Sequence, residues 1–96
     1  FNQINKNVEF GYWLSEKHWR KGIAFEAGQI VLNYLFKNYD LEKIYAKVLS
    51  GNLASSNLLK KLGFRQEGLL LRHIHSFDRW YDEKLFGLLK KDFKPF

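Results

Sequence analysis

The 96 residues predict a mixed α/β fold: one sheet with helices covering it, in the order strand, strand, helix, strand, helix, strand, strand. Three observations carry that prediction. Apolar residues recur at three- and four-residue spacing between Gly22 and Tyr39. Short runs rich in β-branched and aromatic residues lie on either side of that stretch. Glycine and asparagine punctuate the chain at Gly51-Asn52 and at Gly63, where a helix would start and stop.

Taken in order, Phe1 to Ile4 reads as the end of a strand, Asn5-Lys6-Asn7 as a tight turn, and Val8 to Leu14 as a second strand. Alternation in that second strand puts Val8, Phe10, Tyr12 and Leu14 on one face and Glu9, Gly11 and Trp13 on the other. The first helix runs from Gly22 to about Tyr39, with Ile23, Ala27, Ile30, Val31, Tyr34 and Leu35 as its apolar stripe. Ile44 to Leu49 is short and strand-forming. In the loop Ser50-Gly51-Asn52, the Asn52 side chain can accept from the free amides of a second helix. That helix carries Leu58, Leu59 and Leu62 on one side and ends at Gly63, a C-terminal glycine. Phe64 to Arg72 reads as a strand with a bulge at Gly68, His73 to Asp82 as an aromatic and charged loop, and Lys84 to Leu89 as the last strand.

Composition bounds the function. An aromatic fraction of 18% and a hydrophobic fraction of 46% are those of a chain that packs, not of a disordered tail. Residues 1–96 make at most one domain. The chain opens on Phe1 and enters strand-like sequence at once, so a longer reading frame is expected around it. With no cysteine there is no disulfide, thiolate metal site or cysteine nucleophile, and a reducing, cytoplasmic compartment is the expectation. No run of eighteen apolar residues occurs, so no membrane span is expected. The net charge of +6 favours an anionic partner: nucleic acid, a membrane surface or a polyphosphorylated small molecule. The lysines are scattered and no nucleic-acid motif is present, which turns the expectation away from nucleic acid and membrane.

One stretch suggests what the anion is. His18-Trp19-Arg20-Lys21-Gly22 places two cations and a glycine directly before a helix. Unpaired first-turn amides, the positive end of the helix dipole and a residue without a side chain make an anion cradle. A solvated basic turn ahead of an ordinary amphipathic helix is the plain alternative. Neither G-x-x-x-x-G-K-[ST] nor G-x-G-x-x-G is present, so the P-loop and dinucleotide fingerprints do not apply.

Trp19-Arg20-Lys21-Gly22-Ile23-Ala24 resembles the acyl-CoA pyrophosphate loop [QR]-x-x-G-x-[GA] of the GNAT superfamily of N-acetyltransferases, departing only at Trp19. An aromatic there is similar to the ribosomal-protein N-terminal acetyltransferase (RimJ/RimL-like) branch. So are Gly11 to Leu14, Trp19 to Ala27 and the tail from Arg79 to Leu89. A second motif, N-x-x-[AS] followed by a helix closing in L-G-F, matches Asn52, Ser55, Leu62, Gly63 and Phe64. The resemblance implies a partial acyl-CoA N-acyltransferase fold lacking its N-terminal elements, the C-terminal part of a longer acetyltransferase domain.

The resemblance further implies direct transfer of an acetyl group from acetyl-CoA to a primary amine, a protein N-terminal α-amine or a small amine, with no metal. Backbone amides around Tyr12, Trp13 and Leu14 would polarise the thioester carbonyl. Trp19, Arg20, Lys21, Gly22, Ile23 and Ala24 would hold the diphosphate, and Asn52 and Ser55 the pantetheine arm. Glu9 is the candidate base: an acid in a mostly apolar strand is poised for that role. An edge-strand carboxylate in solvent is its equal alternative. An α-amine, with a pKa of about 7.7–8.0, costs about 1 kcal/mol to deprotonate at pH 7, against about 4.6 kcal/mol for a lysine, so a weak base suffices for it. The position where many relatives carry a tyrosine general acid is Leu59. His18, His73 and His75 lack companion cysteines and do not read as a metal site; His73 to Trp80 reads as a loop lining the acceptor entrance or packing on a partner. A CoA-binding or dimerising fragment without turnover is the alternative function, and a small basic nucleic-acid-binding domain a lesser one. Association of two copies through an exposed sheet edge is expected.

Overall fold

The computed structural model describes residues 6–10 and 21–94, with the side chains of 21–24 excepted. Strand β1 is Asn7–Glu9, helix α1 Lys21–Asn38, strand β2 Lys43–Leu49, helix α2 Leu53–Lys61, strand β3 Arg65–Ser76 and strand β4 Arg79–Leu89; a short 3₁₀ turn, Lys90–Asp92, follows. The sheet order is β1-β2-β4-β3. β1 runs parallel to β2, whereas β4 is antiparallel to both β2 and β3. The predicted strand at Phe1 to Ile4 and the second half of the predicted Val8–Leu14 strand lie outside the described residues.

Alternation sorts the two faces of the sheet. Ile44, Ala46 and Val48 on β2 and Phe86 and Leu88 on β4 are buried, and they join Phe10, Leu32, Phe36, Leu41, Leu59, Leu62 and Phe64 in one core. Both helices therefore cover the same face. The opposite face carries Asn7 and Glu9 on β1, Lys43, Tyr45 and Lys47 on β2, and Leu85 on β4, all half-buried or exposed. After β4 the chain folds back over α1, where the Phe93 ring stands 5.1 Å from that of Phe36.

The apolar stripe of α1 differs from the expected one. Ile30 and Tyr34 are 63% and 55% exposed, while Gly28, Leu32 and Phe36 are buried. The reason lies at Gly28: a Cβ there would come 2.9 Å from Leu62 Cδ1, so the backbone of α1 packs directly on α2. A glycine contributes no side chain to a count of apolar residues, and the centre of the buried stripe is displaced around the helix in that count. Phe25 and Lys61 add a cation–π contact between the helices, 4.8 Å from ammonium to ring centre.

The helix cap at Asn52 forms as expected: its Oδ1 accepts from the Ser55 amide at 3.1 Å. Gly63, at φ +105°, ends α2 in the left-handed conformation that glycine adopts without strain.

The segment from His73 to Asp82 is not a loop. It forms the outer half of a long β3–β4 hairpin closed by Phe77 and Asp78, at φ 50° and 60°. Two positive φ values between Ser76 and Arg79 make a type I′-like turn, which matches strand twist; the sequence lacks the Asn-Gly that usually signals it. The hairpin has two irregularities. One falls at Glu67, beside the expected bulge at Gly68, and the other at Leu71 to His73, where three residues face Asp82 alone. The Asp82 carboxylate accepts from the Arg72 amide at 2.9 Å, with Arg72 at φ 48°.

The first irregularity has a use. Glu67 reaches across β4 to form an ion pair with Lys43 on β2, and it does so over Gly87. A Cβ at Gly87 would lie 2.6 Å from the Glu67 carboxyl carbon and 2.7 Å from Lys43 Cε.

Two stability predictions follow from these contacts. Gly87→Ala is expected to cost no more than about 1 kcal/mol in a denaturant titration, because the groups its Cβ meets are the ends of two flexible, part-exposed side chains; the cost is the loss of the Lys43–Glu67 pair, and it is expected to vanish in a Glu67→Ala background. Equal cost in both backgrounds contradicts the crossing contact. Asn52→Ala is expected to cost about 1 kcal/mol while Asn52→Gly costs only a few tenths; a thermal melt showing the two equally harmful contradicts the cap.

Candidate functional site

The topology gathers chain ends at one end of the sheet. Because β1 and β2 are parallel, the chain leaves β1 at the end where β2 finishes at Leu49. There Ser50-Gly51-Asn52 turns into α2, and β4 enters the sheet, since it is antiparallel to β2. Helix α1 finishes at Asn38, close to the start of β2, and its 18 residues span about 27 Å. Its first turn, Lys21 to Ala24, is thereby carried back toward the far end. Gly22 stands in that first turn.

The expected site residues divide into three groups. Tyr12, Trp13, Leu14, Trp19 and Arg20 lie outside the described residues, as does His18. Lys21, Gly22, Ile23 and Ala24 form the start of α1. Glu9, Asn52 and Ser55 have described surroundings. Glu9 is exposed, in register with Tyr45, on the face opposite the helices. Just beyond it the Phe10 amide donates to the Tyr45 carbonyl at 2.7 Å. Asn52 is exposed; its Oδ1 is spent on the cap, which leaves Nδ2 for another acceptor. Ser55 is buried. Leu59 is fully buried in the core, a hydrocarbon with no proton to give.

Two residues of chemical interest escape the sequence reading. Ser56 is 1% exposed, and its Oγ has no hydrogen-bond partner among the described residues. A buried hydroxyl left unpaired costs about 1–3 kcal/mol, and this one sits on α2 beside Ser55. Glu83 is the one buried charged residue among those described. Its Oε1 lies 3.7 Å from Nε2 of half-exposed His73. In sequence Glu83 falls between the expected loop and the last strand; the register, with Leu49 on one side and Leu70 on the other, shows it enclosed. Past it, Trp80 packs against His75, ring centres 4.7 Å apart, and Arg72 lies 5.5 Å from the Trp80 ring. Among the described residues no cluster of three metal-ligating side chains occurs, and no helix is long and apolar enough to cross a membrane.

Comparison with known proteins agrees with this architecture. The model of the acetyltransferase (GNAT) domain matches residues 1–65. An uncharacterized N-acetyltransferase, p20 of Bacillus licheniformis, is 40% identical over 92 residues, covering 96% of this chain and 52% of its own. The [ribosomal protein uS5]-alanine N-acetyltransferase of Escherichia coli is 31% identical over 85 residues, covering 88% of this chain and 44% of its own. A chimera of spermidine N-acetyltransferase SpeG from Vibrio cholerae and hSSAT superposes with a TM-score of 0.81 at 28% identity, over 95% of this chain and 56% of that one. The chain spans about half the length of the curated relatives it matches. The family model takes in well over half of the 96 residues, and the chain belongs to the GNAT acetyltransferase family, among relatives that include the RimJ/RimL-like ribosomal-protein branch.

Proposed function

We propose that this chain is the cofactor-binding part of an enzyme that moves an acetyl group directly from acetyl-CoA to a primary amine. The observation that carries the reading is the start of α1: Lys21-Gly22-Ile23-Ala24 opens a helix at the end of the sheet where β1, β2 and α2 also present chain ends. Free amides, helix dipole and nearby cations together suit a diphosphate.

The residues fit a CoA ester along its length. The first turn of α1, with Arg20 and Trp19 before it, would hold the diphosphate. Asn52 Nδ2, left over from the cap, and buried Ser55 suit the carbonyls and amides of the pantetheine arm. The unpaired Ser56 Oγ is a further polar atom on that helix which a ligand could satisfy. Amides of Tyr12, Trp13 and Leu14 are assigned to the thioester carbonyl, where aligned donors act on charge that develops during transfer. Acetyl-CoA supplies an activated acyl group: its C–S bond breaks as the amine forms a C–N bond, releasing CoA thiol and, from an ammonium acceptor, one proton.

Glu9 is assigned as a base. Its exposure places it in contact with water, so a proton reaches it most simply through a water chain; that suffices for an α-amine, whose deprotonation is cheap near neutral pH. The named relatives act on the alanine of a ribosomal protein and on spermidine, and a protein N-terminal α-amine or a polyamine is the proposed acceptor class here. Association of two copies through an exposed sheet edge goes with this reading. A cytoplasmic setting goes with this substrate pair.

Acetyl-CoA at 100 times its dissociation constant is expected to stabilise the protein by about 2.7 kcal/mol and to raise its melting temperature with the logarithm of concentration. Gly22→Glu puts bulk and negative charge where the diphosphate belongs and is expected to abolish that rise. A rise of undiminished size in the variant contradicts the site.

A further inference from the structure

Glu9 and Lys47 stand on the same face of the sheet, opposite the helices, and both are exposed. Glu9 is in register with Tyr45 on the parallel neighbour β2, and Lys47 is two residues farther along that strand. With strands about 4.8 Å apart and a rise of about 3.3 Å per residue, their Cα atoms lie roughly 8 Å from each other. One small ligand can touch both side chains at that spacing. Neither side chain forms an ion pair with a described residue. Lys43, the other lysine on this face of β2, differs: Glu67 reaches over β4 to pair with it.

Beside Glu9 the face is hollow. A shallow, open depression of about 280 Å³ is lined by Asn7, Lys43, Tyr45, Lys47, Glu67 and Leu85 among others. That is just under the roughly 300–1,000 Å³ of a drug-sized ligand site, so it suits one end of a small acceptor and not a nucleotide. Its charges do not cancel: Lys43 and Glu67 neutralise each other, and Lys47 is left as the cation without an ion-pair partner among the described residues. The Tyr45 hydroxyl and the Asn7 carboxamide add uncharged hydrogen-bond donors, and Leu85 adds an apolar patch. A carboxylate is the complement of that set. At the edge of the hollow, Glu9 offers the opposite charge. A ligand matched to both carries a cationic amine and, a few bonds away, an anion. A polyamine matches only Glu9 and sets further positive charge against Lys47.

We infer that Lys47 selects the acceptor: the hollow takes an amine that carries a carboxylate, with the carboxylate on Lys47 and the Tyr45 hydroxyl and the amine toward Glu9. This rests on the acetyltransferase reading above and narrows its acceptor. The carboxylate comes from a free amino acid or from an acidic residue next to a peptide N-terminus; a polyamine is disfavoured. The placement suits the transfer, since Lys47 lies toward the end of β2 at which the chain leaves β1. Lys47 determines specificity and takes no part in moving the proton.

The test compares acceptors in the full-length protein with acetyl-CoA: glutamate against glutamine, a peptide beginning alanine-aspartate against one beginning alanine-asparagine, and spermidine. The two matched pairs distinguish a free amino acid from a peptide as the source of the carboxylate. In at least one pair the acidic acceptor is expected to exceed its amide twin in kcat/KM by on the order of tenfold, mainly through KM, and added salt is expected to shrink that ratio. Lys47→Gln is expected to bring the ratio to about one, Lys47→Arg to keep it and Lys47→Glu to reverse it, with acetyl-CoA raising the melting temperature of each variant as it does the parent's. A ratio of about one in the parent for both pairs, a ratio that survives Lys47→Gln, or turnover of spermidine alone or of no acceptor overturns the inference and leaves acetyl-CoA binding standing. Failure of acetyl-CoA to stabilise the parent protein overturns the acetyltransferase reading and this inference with it.

Discussion

The constraint on which the structure turns is the parallel pairing of β1 with β2. Parallel neighbours cannot be joined by a hairpin; the chain must cross over, and here it does so through α1. Three register pairs, Asn7 with Lys43, Val8 with Ile44 and Glu9 with Tyr45, and the Phe10 amide on the Tyr45 carbonyl hold β1 against β2. The crossover helix then has to finish near Lys43, so its amino end, with Gly22, must lie away from that strand's start. The place of that first turn is a consequence of strand direction before it is a consequence of any side chain.

The second half of the chain repeats the device once and then reverses. β2 feeds α2 through the Asn52 cap, which gives a second helix start at the same end of the sheet. The hairpin of β3 and β4 closes the sheet with antiparallel strands and reaches past the end of β2, since Ser76 and Arg79 pair well beyond the level of Leu49 and Glu83. Packing enforces the arrangement. Gly28 lets α1 meet Leu62 directly, and Gly87 lets Glu67 cross the central strand to Lys43. The first missing side chain lets helix and helix end approach closely, and the second leaves room for an ion pair across the central strand.

Legibility in the sequence followed the range of the interactions. Local signals read correctly: the α2 cap at Asn52, its stop at Gly63 and the strand at Ile44 to Leu49 depend on neighbours in the chain. The family was legible too, because its motifs are local backbone devices that need particular residues at fixed spacing. What failed depends on residues far apart. The stripe of α1 was placed one position around because Gly28 is read as absence when it is the point of closest approach. The outer hairpin was read as a loop because Phe77 and Asp78 adopt positive φ without the usual Asn-Gly, a choice imposed by the pairing on both sides. Glu83 drew no notice in the sequence because its burial arises from β2 and β3 flanking it, a matter of register alone.

In the molecule as proposed, the helix starts grip the CoA ester, and the face of β1 and β2 that carries Glu9 receives the amine. The most direct measurement of that division is amide hydrogen exchange on the whole protein with and without saturating acetyl-CoA. Slower exchange at the first turn of α1, residues 21–24, and at the start of α2, residues 52–56, with little change at the 77–78 turn, is the expected pattern. Unchanged exchange at residues 21–24 under saturation would contradict a diphosphate held on that turn.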